Sequence, residues 1–296
     1  MLPTHGRYDY SPITQRKPFT WPNGSRLAVY LGVNLEHFAF AGGLGAELAP
    51  GGPQPDILNY AWRDYGNRVG AWRLIETLDR LELPASVIVN SAMVSYAPEL
   101  LAAHLARGDE IVGHGRTNSE RQSEIGEADE TALIAEATKA LAGFCDGTAP
   151  AGWLSPWIAE STVTPDLLAE AGYRYTLNWC MDDQPVWMRT RAGRLLAIPY
   201  PQEINDIPSI VARKDGADTF AAMIIDNFDE MLEQAENGSA LVMGIALHPY
   251  IIGQPYRLRH LRRALNHISR HRERVWITRA GDICQACCSL PDGTIV

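Results

Sequence analysis

Short apolar runs alternate with amphipathic stretches along most of this chain, and few folds accommodate that rhythm. The runs are Leu27 to Leu35, Ala85 to Asn90, Glu110 to Gly113, Tyr173 to Asn178, Leu195 to Pro199, Ala240 to Leu247 and Val275 to Thr278. Near-continuous apolar strands of this kind belong to a parallel sheet covered on both faces. Between them lie helices with readable ends. Val69, Trp72, Ile75, Leu78 and Leu81 recur every three residues and can form one helical face. Pro98 opens a helix that Gly108 closes, and Thr164 can cap one that begins at Pro165 and stops before Gly172. Two longer helices are expected at Thr219 to Gln234 and Tyr256 to His271. Roughly eight strands and six helices in alternation predict one (β/α) barrel rather than two separate sheets.

The 296 residues show no internal repeat and no linker, so a single domain over 1–296 is expected, with a short N-terminal arm and a C-terminal tail. Two stretches break the rhythm, Phe38 to Asp56 and Pro199 to Asp215. Long loops of this kind cover a site or mediate contacts between subunits, and a homo-oligomer is expected. The net charge of −9 argues against nucleic acid and anionic membrane as partners, because phosphate contacts need clustered Lys and Arg. No segment reaches the roughly 18 apolar residues of a membrane span, and Met1 to Arg16 lacks a signal-peptide core. Five cysteines, three of them at Cys284, Cys287 and Cys288, read as free thiols of a reduced, cytoplasmic protein.

In a parallel barrel, functional groups collect at the C-terminal ends of the strands. Three expected strand exits carry histidine: Glu36-His37, His114 to Asn118, and His248-Pro249-Tyr250. Three histidines with one carboxylate at such positions point to a site. Ser155 and Cys180 lie in no nucleophile elbow, and Gly42 to Gly45 lacks the strand–helix context of a dinucleotide fingerprint.

At these residues the sequence resembles the polysaccharide deacetylase (NodB-like) superfamily, from about Leu27 to about Ala280. The phrases at 248–257 and 178–185 are similar to the branch of allantoinase-like and cyclic imide hydrolases. The resemblance implies a distorted (β/α) barrel of about seven to eight parallel strands and a carbon–nitrogen hydrolase acting on non-peptide bonds. Glu36 takes the place of the family's catalytic base, and His37 that of an aspartate ligand to a metal. His114 matches the first histidine of the His-x-x-x-His ligand pair, and Asn118 replaces the second. Leu154 stands where the family has arginine. Asp182 matches the fourth motif's aspartate, and His248 the general acid.

A neutral amide at 118 and an apolar side chain at 154 weaken a zinc site. The expected catalytic set is therefore Glu36, His248 and Asp182, with no cofactor required or a weakly bound divalent metal (zinc) on His37 and His114. His37, His114, Arg116, Asn118, Trp153, Trp157 and Gln184 are the expected substrate contacts, although barrel packing accounts equally well for the tryptophans. The expected substrate is a small amide, a cyclic imide or ureide that suits a closed apolar pocket. The alternatives are an N-acetyl sugar deacetylase and a catalytically degenerate barrel that binds sugar or ureide.

Overall fold

The computed structural model describes residues 4–42 and 44–296. Among the described residues, nine strands form one curled, mostly parallel sheet: β1 (Leu27–Leu35), β2 (Ser86–Val89), β3 (Glu110–Gly113), β4 (Gly152–Trp153), β5 (Tyr175–Thr176), β6 (Val186–Thr190), β7 (Gly193–Ala197), β8 (Leu241–Leu247) and β9 (Trp276–Thr278). Their order is β6-β7-β5-β4-β3-β2-β1-β8, with β9 alongside the first half of β1. A single register row runs Leu35, Val89, Gly113, Trp153, Thr176 and Ala197. The open side, between β8 and the β6–β7 end, is bridged irregularly: Ala246 N donates to Ile204 O, and Val242 N to Asp183 O. The result is a distorted barrel.

The helices are α1 (Ile57–Tyr65), α2 (Ala71–Leu81), α3 (Met93–Tyr96), α4 (Pro98–Ala106), α5 (Glu127–Phe144), α6 (Thr164–Glu170), α7 (Ala217–Asn237), α8 (Pro249–Ile252), α9 (Pro255–Ser269) and α10 (Ala280–Ser289), with π-helical segments at Gly66–Gly70 and Ile207–Ala212. None is long and apolar enough to cross a membrane, among the described residues.

The expected seven to eight parallel strands are present, and β6 adds an antiparallel hairpin with β7 from Val186↔Ala197 to Thr190↔Gly193. Two expectations need correction. The C-terminal tail is largely α10, whose Cys284 and Cys287 are buried against the base of the sheet. Thr164 is not a cap: it is the first residue of α6, and its hydroxyl accepts from Ser161 N.

Period-two alternation divides each strand between two compartments. Leu27, Val29, Leu31, Val33 and Leu35 pack outward with Met243, Ile245 and Leu247 beneath the helices. Ala28, Tyr30, Val242, Ala246, Ile88, Val112, Tyr175, Leu196 and Tyr200 pack with one another on the sheet's other face, inside the barrel.

The chain after β8 is seated by glycine. A Cβ on Gly70 would lie 2.1 Å from the Pro249 carbonyl oxygen, and one on Gly66 would lie 2.6 Å from Tyr250 N. Both contacts are with backbone, which cannot rotate away. Gly70→Ala should therefore cost about 1–3 kcal/mol of stability in denaturant unfolding, as overpacking does. An unchanged midpoint would show that this seat is looser than its contacts imply.

Candidate active site

Three strand exits bring Glu36, His114 and His248 to one point, and the alternation within the strands explains why. Glu36 continues the inward series Ala28, Tyr30, Gly32, Asn34 along β1. His114 follows Val112 on β3, and His248 follows Val242, Gly244 and Ala246 on β8. All three are buried. The Nε2 atoms of His114 and His248 each lie 3.6 Å from Glu36 Oε1. That is too long for a direct hydrogen bond, and a water on the cavity side can touch all three atoms.

Both rings are oriented from behind. His114 Nδ1 lies 2.6 Å from the Leu154 carbonyl, which can only accept, so Nδ1 carries the proton. In the neutral ring Nε2 then presents its lone pair towards Glu36. Asn90 holds the same exit by donating to the His114 carbonyl and accepting from His37 N. Asp206, fully buried, accepts from both His248 N (2.8 Å) and His248 Nδ1 (2.6 Å). Burial lowers the His248 pKa, but the Asp206 and Glu36 carboxylates outweigh it and raise the net value above that of ordinary histidine. Burial raises the Asp206 pKa, against the opposing pull of His248.

These groups line a cavity of about 120 Å³. Asn34, Tyr200, Asn205 and Tyr250 supply its other polar walls, and Leu154, Trp157, Ile158, Ile207 and Pro208 its apolar ones. Trp157 and Ile158 adopt left-handed backbone at φ 64° and 56°. Such conformations are costly for side-chain-bearing residues and concentrate at functional sites. Trp157 Nε1 donates to the Asn118 carbonyl, tying this turn to the His114 loop.

Glu36, His114, Asn118, Trp157 and His248 thus share the cavity. The other sequence candidates do not. His37 is out of phase with Glu36 by one residue and faces a neighbouring crevice with Tyr60 and Asp64, its ring against Tyr96. There burial lowers its pKa, against the opposing effect of Asp64. Asp182 pairs with Arg16, and Gln184 bonds Arg16 and the Ala240 carbonyl. The adjoining Asp183 meets β8 at Val242, six residues before His248, a separation of about 20 Å along a strand. Arg116 is held at the surface by Glu120 and Glu136. Trp153 is fully buried, its indole N–H shared between Gln122 and Ser155. Among the described residues, Phe38 to Asp56 contributes nothing to the cavity wall.

Asp206 and Tyr250 escaped the sequence reading. Asp206 lies in the second irregular stretch, and the available signal was that this stretch leads from β7 back to the top of β8. Tyr250 was legible as part of the His-Pro-Tyr exit.

The residues at the site do not fit a closed zinc centre. Among the described residues, no three His, Cys, Asp or Glu side chains are placed to share one ion. Glu36 and His114 converge, but the next oxygen belongs to a neutral amide at Asn118, a poor donor for zinc, and His37 faces elsewhere.

No protein-family model matches the chain. A peptidoglycan deacetylase of Helicobacter pylori is 23% identical over 284 residues, covering 85% of this chain and 93% of that protein. A probable polysaccharide deacetylase from Pseudomonas aeruginosa PAO1 superposes with a TM-score of 0.80 at 26% identity, covering 90% of this chain and 92% of that one. The crystal structure of Puue allantoinase also gives 0.80, at 25% identity, over 94% of this chain and 97% of the other. With the barrel and the three histidine- and glutamate-bearing exits, the chain is similar over nearly its full length to polysaccharide deacetylases and to an allantoinase.

Proposed function

We propose that this protein hydrolyses a non-peptide C–N bond in a small cyclic imide or ureide, with Glu36 as base and His248 as acid. The observation that carries the proposal is the placement of Glu36 Oε1 3.6 Å from both imidazole Nε2 atoms, with His248 held by Asp206. A water between them can donate one proton to Glu36 and the other to the His114 lone pair, which directs its oxygen at the substrate carbonyl. As that oxygen bonds to carbon, Glu36 takes a proton. As the C–N bond breaks, the departing nitrogen takes the proton from His248 Nε2. A cavity of about 120 Å³ is smaller than the roughly 300–1,000 Å³ of drug-sized sites, which supports a small ring. The likeness to Puue allantoinase supports the same substrate class.

The likeness to the H. pylori peptidoglycan deacetylase favours a second reading, removal of an acetyl group from an N-acetyl sugar by the same residues. A cytosolic setting belongs to the proposal, supported by five free cysteines. So does assembly with identical chains, supported by the exposed Phe40, Ile57 and Leu58 on one flank.

Succinimide, hydantoin, allantoin and N-acetylglucosamine oligomers assayed side by side should show fastest turnover on one of the rings. Glu36→Gln and His248→Ala should each lower that rate by about 10²-fold or more. Faster deacetylation of the oligomers would transfer the assignment to the second reading.

The pH profile tests the acid. A raised His248 pKa keeps the imidazolium available to higher pH, and activity falls as pH rises through that value. Asp206→Asn removes the main raising charge, so its alkaline limb should move to lower pH. An unmoved limb would remove His248 from the role of acid.

The metal is tested by chelation. Wild-type protein should keep most of its turnover after exhaustive treatment with a zinc chelator, and Asn118→His should raise zinc affinity by about 10-fold or more. Abolition of turnover by the chelator, restored by zinc, would make Glu36 a ligand rather than a base.

A further inference from the structure

Two polar atoms in the cavity remain unexplained by water activation. The Tyr250 hydroxyl and Asn118 Oδ1 are buried and have no hydrogen-bond partner among the described residues. Their residues are 2% and 4% exposed, and both line the cavity. The Tyr250 ring is wedged edge-to-face between Trp62 (4.9 Å) and Phe38 (6.0 Å), and its backbone rests on Gly66. The Asn118 backbone is held on both sides, its N–H donating to the His37 carbonyl (2.8 Å) and its carbonyl accepting from Trp157 Nε1 (2.9 Å). Burial and the Glu36 and Asp206 carboxylates push the Tyr250 pKa well up, so the hydroxyl keeps its proton; it leans towards Glu36 without reaching hydrogen-bond distance. The cavity therefore offers one donor and one acceptor, beyond Glu36 and the two histidines. Buried polar groups without partners are costly and are found where a ligand completes them.

We propose that Tyr250 and Asn118 are specificity residues that read a carbonyl and its adjoining N–H on the substrate, Tyr250 donating to the oxygen and Asn118 accepting from the nitrogen. This rests on the ring-hydrolase reading above and narrows it to rings whose imide or ureide nitrogen is unsubstituted. An N-alkyl group would bury Asn118 Oδ1 against carbon with no proton to accept. A site built for a hydrogen bond rejects an analogue lacking it far more strongly than a merely apolar pocket rejects a change in size.

The test compares succinimide with N-methylsuccinimide, whose carbonyls differ little in their own reactivity towards water. Wild-type kcat/KM should be at least about 10²-fold lower on the methylated ring. Asn118→Leu should reduce that ratio below about 10-fold by slowing the unsubstituted ring. Tyr250→Phe should lower kcat on both rings by about 10²- to 10³-fold, as loss of a donor to a developing oxyanion does. Equal turnover of the two rings by wild-type protein would overturn the role of Asn118, and that comparison needs no variant to fold. A near-normal rate for folded Tyr250→Phe would overturn the role of Tyr250. Either result leaves the ring-hydrolase reading standing, whereas no turnover of any ring by wild-type protein ends that reading and this inference together.

Discussion

Glu36 is a carboxylate near the end of a barrel interior that is otherwise built from Ala28, Tyr30, Val242, Ala246 and their neighbours. A buried carboxylate is tolerated only where groups of suitable polarity face it. Here those groups are two imidazoles whose far sides are already committed, one to a backbone carbonyl and one to Asp206. The arrangement fixes what each ring can offer. His114 presents a lone pair, and the two carboxylates favour the protonated form of His248. In the proposed function an acceptor and a donor thus stand beside one carboxylate before any substrate arrives.

That arrangement depends on packing some distance from it. His248 is followed immediately by α8, and α8 lies against the π-helical segment before α2. The close approach is made possible by Gly66, Gly70 and Gly253, each facing backbone atoms where a methyl group would collide. The same π-helical segment places Asn67, which donates to the Glu36 carbonyl at 2.8 Å. One irregular turn of helix therefore seats the exits of both β1 and β8. Asp206 reaches His248 from a third direction, through a stretch that also bridges the open side of the barrel at Asn205 and Ala246.

Long strands with an uninterrupted apolar run were legible in the sequence, and β1, β3 and β8 fall within a residue of their expected limits. The short β4 and the β6–β7 hairpin were not, because two residues carry no period and Arg189 and Arg194 interrupt the hairpin. The three-residue series through Trp72 also misled, since the π-helical segment shifts the helical phase. Leu74, Ile75 and Leu78 are buried in α2 while Trp72 is 42% exposed. At the site, reading strand exits located Glu36, His114 and His248 but treated adjacent residues alike. Alternation alone separates Glu36 from His37. Asp182 was matched from a local phrase, whereas Asp206 takes its position from the path of the chain across the barrel's open side, which no local pattern encodes.

The departures at 118 and 154 have a common physical consequence. In a metal-dependent site, an ion would supply positive charge near the reacting carbonyl, and an arginine would orient its ligands. Leu154 contributes instead a backbone carbonyl that fixes the His114 tautomer, and an apolar side chain that narrows the cavity. Asn118 contributes an unpaired acceptor that a substrate proton can satisfy. In the proposed function, activation then depends on the substrate's own electrophilicity and on a proton from His248. An imide or ureide carbonyl has less nitrogen lone-pair donation than a simple amide, so it demands less of the site. The altered donor set and the proposed preference for activated rings thus express the same constraint.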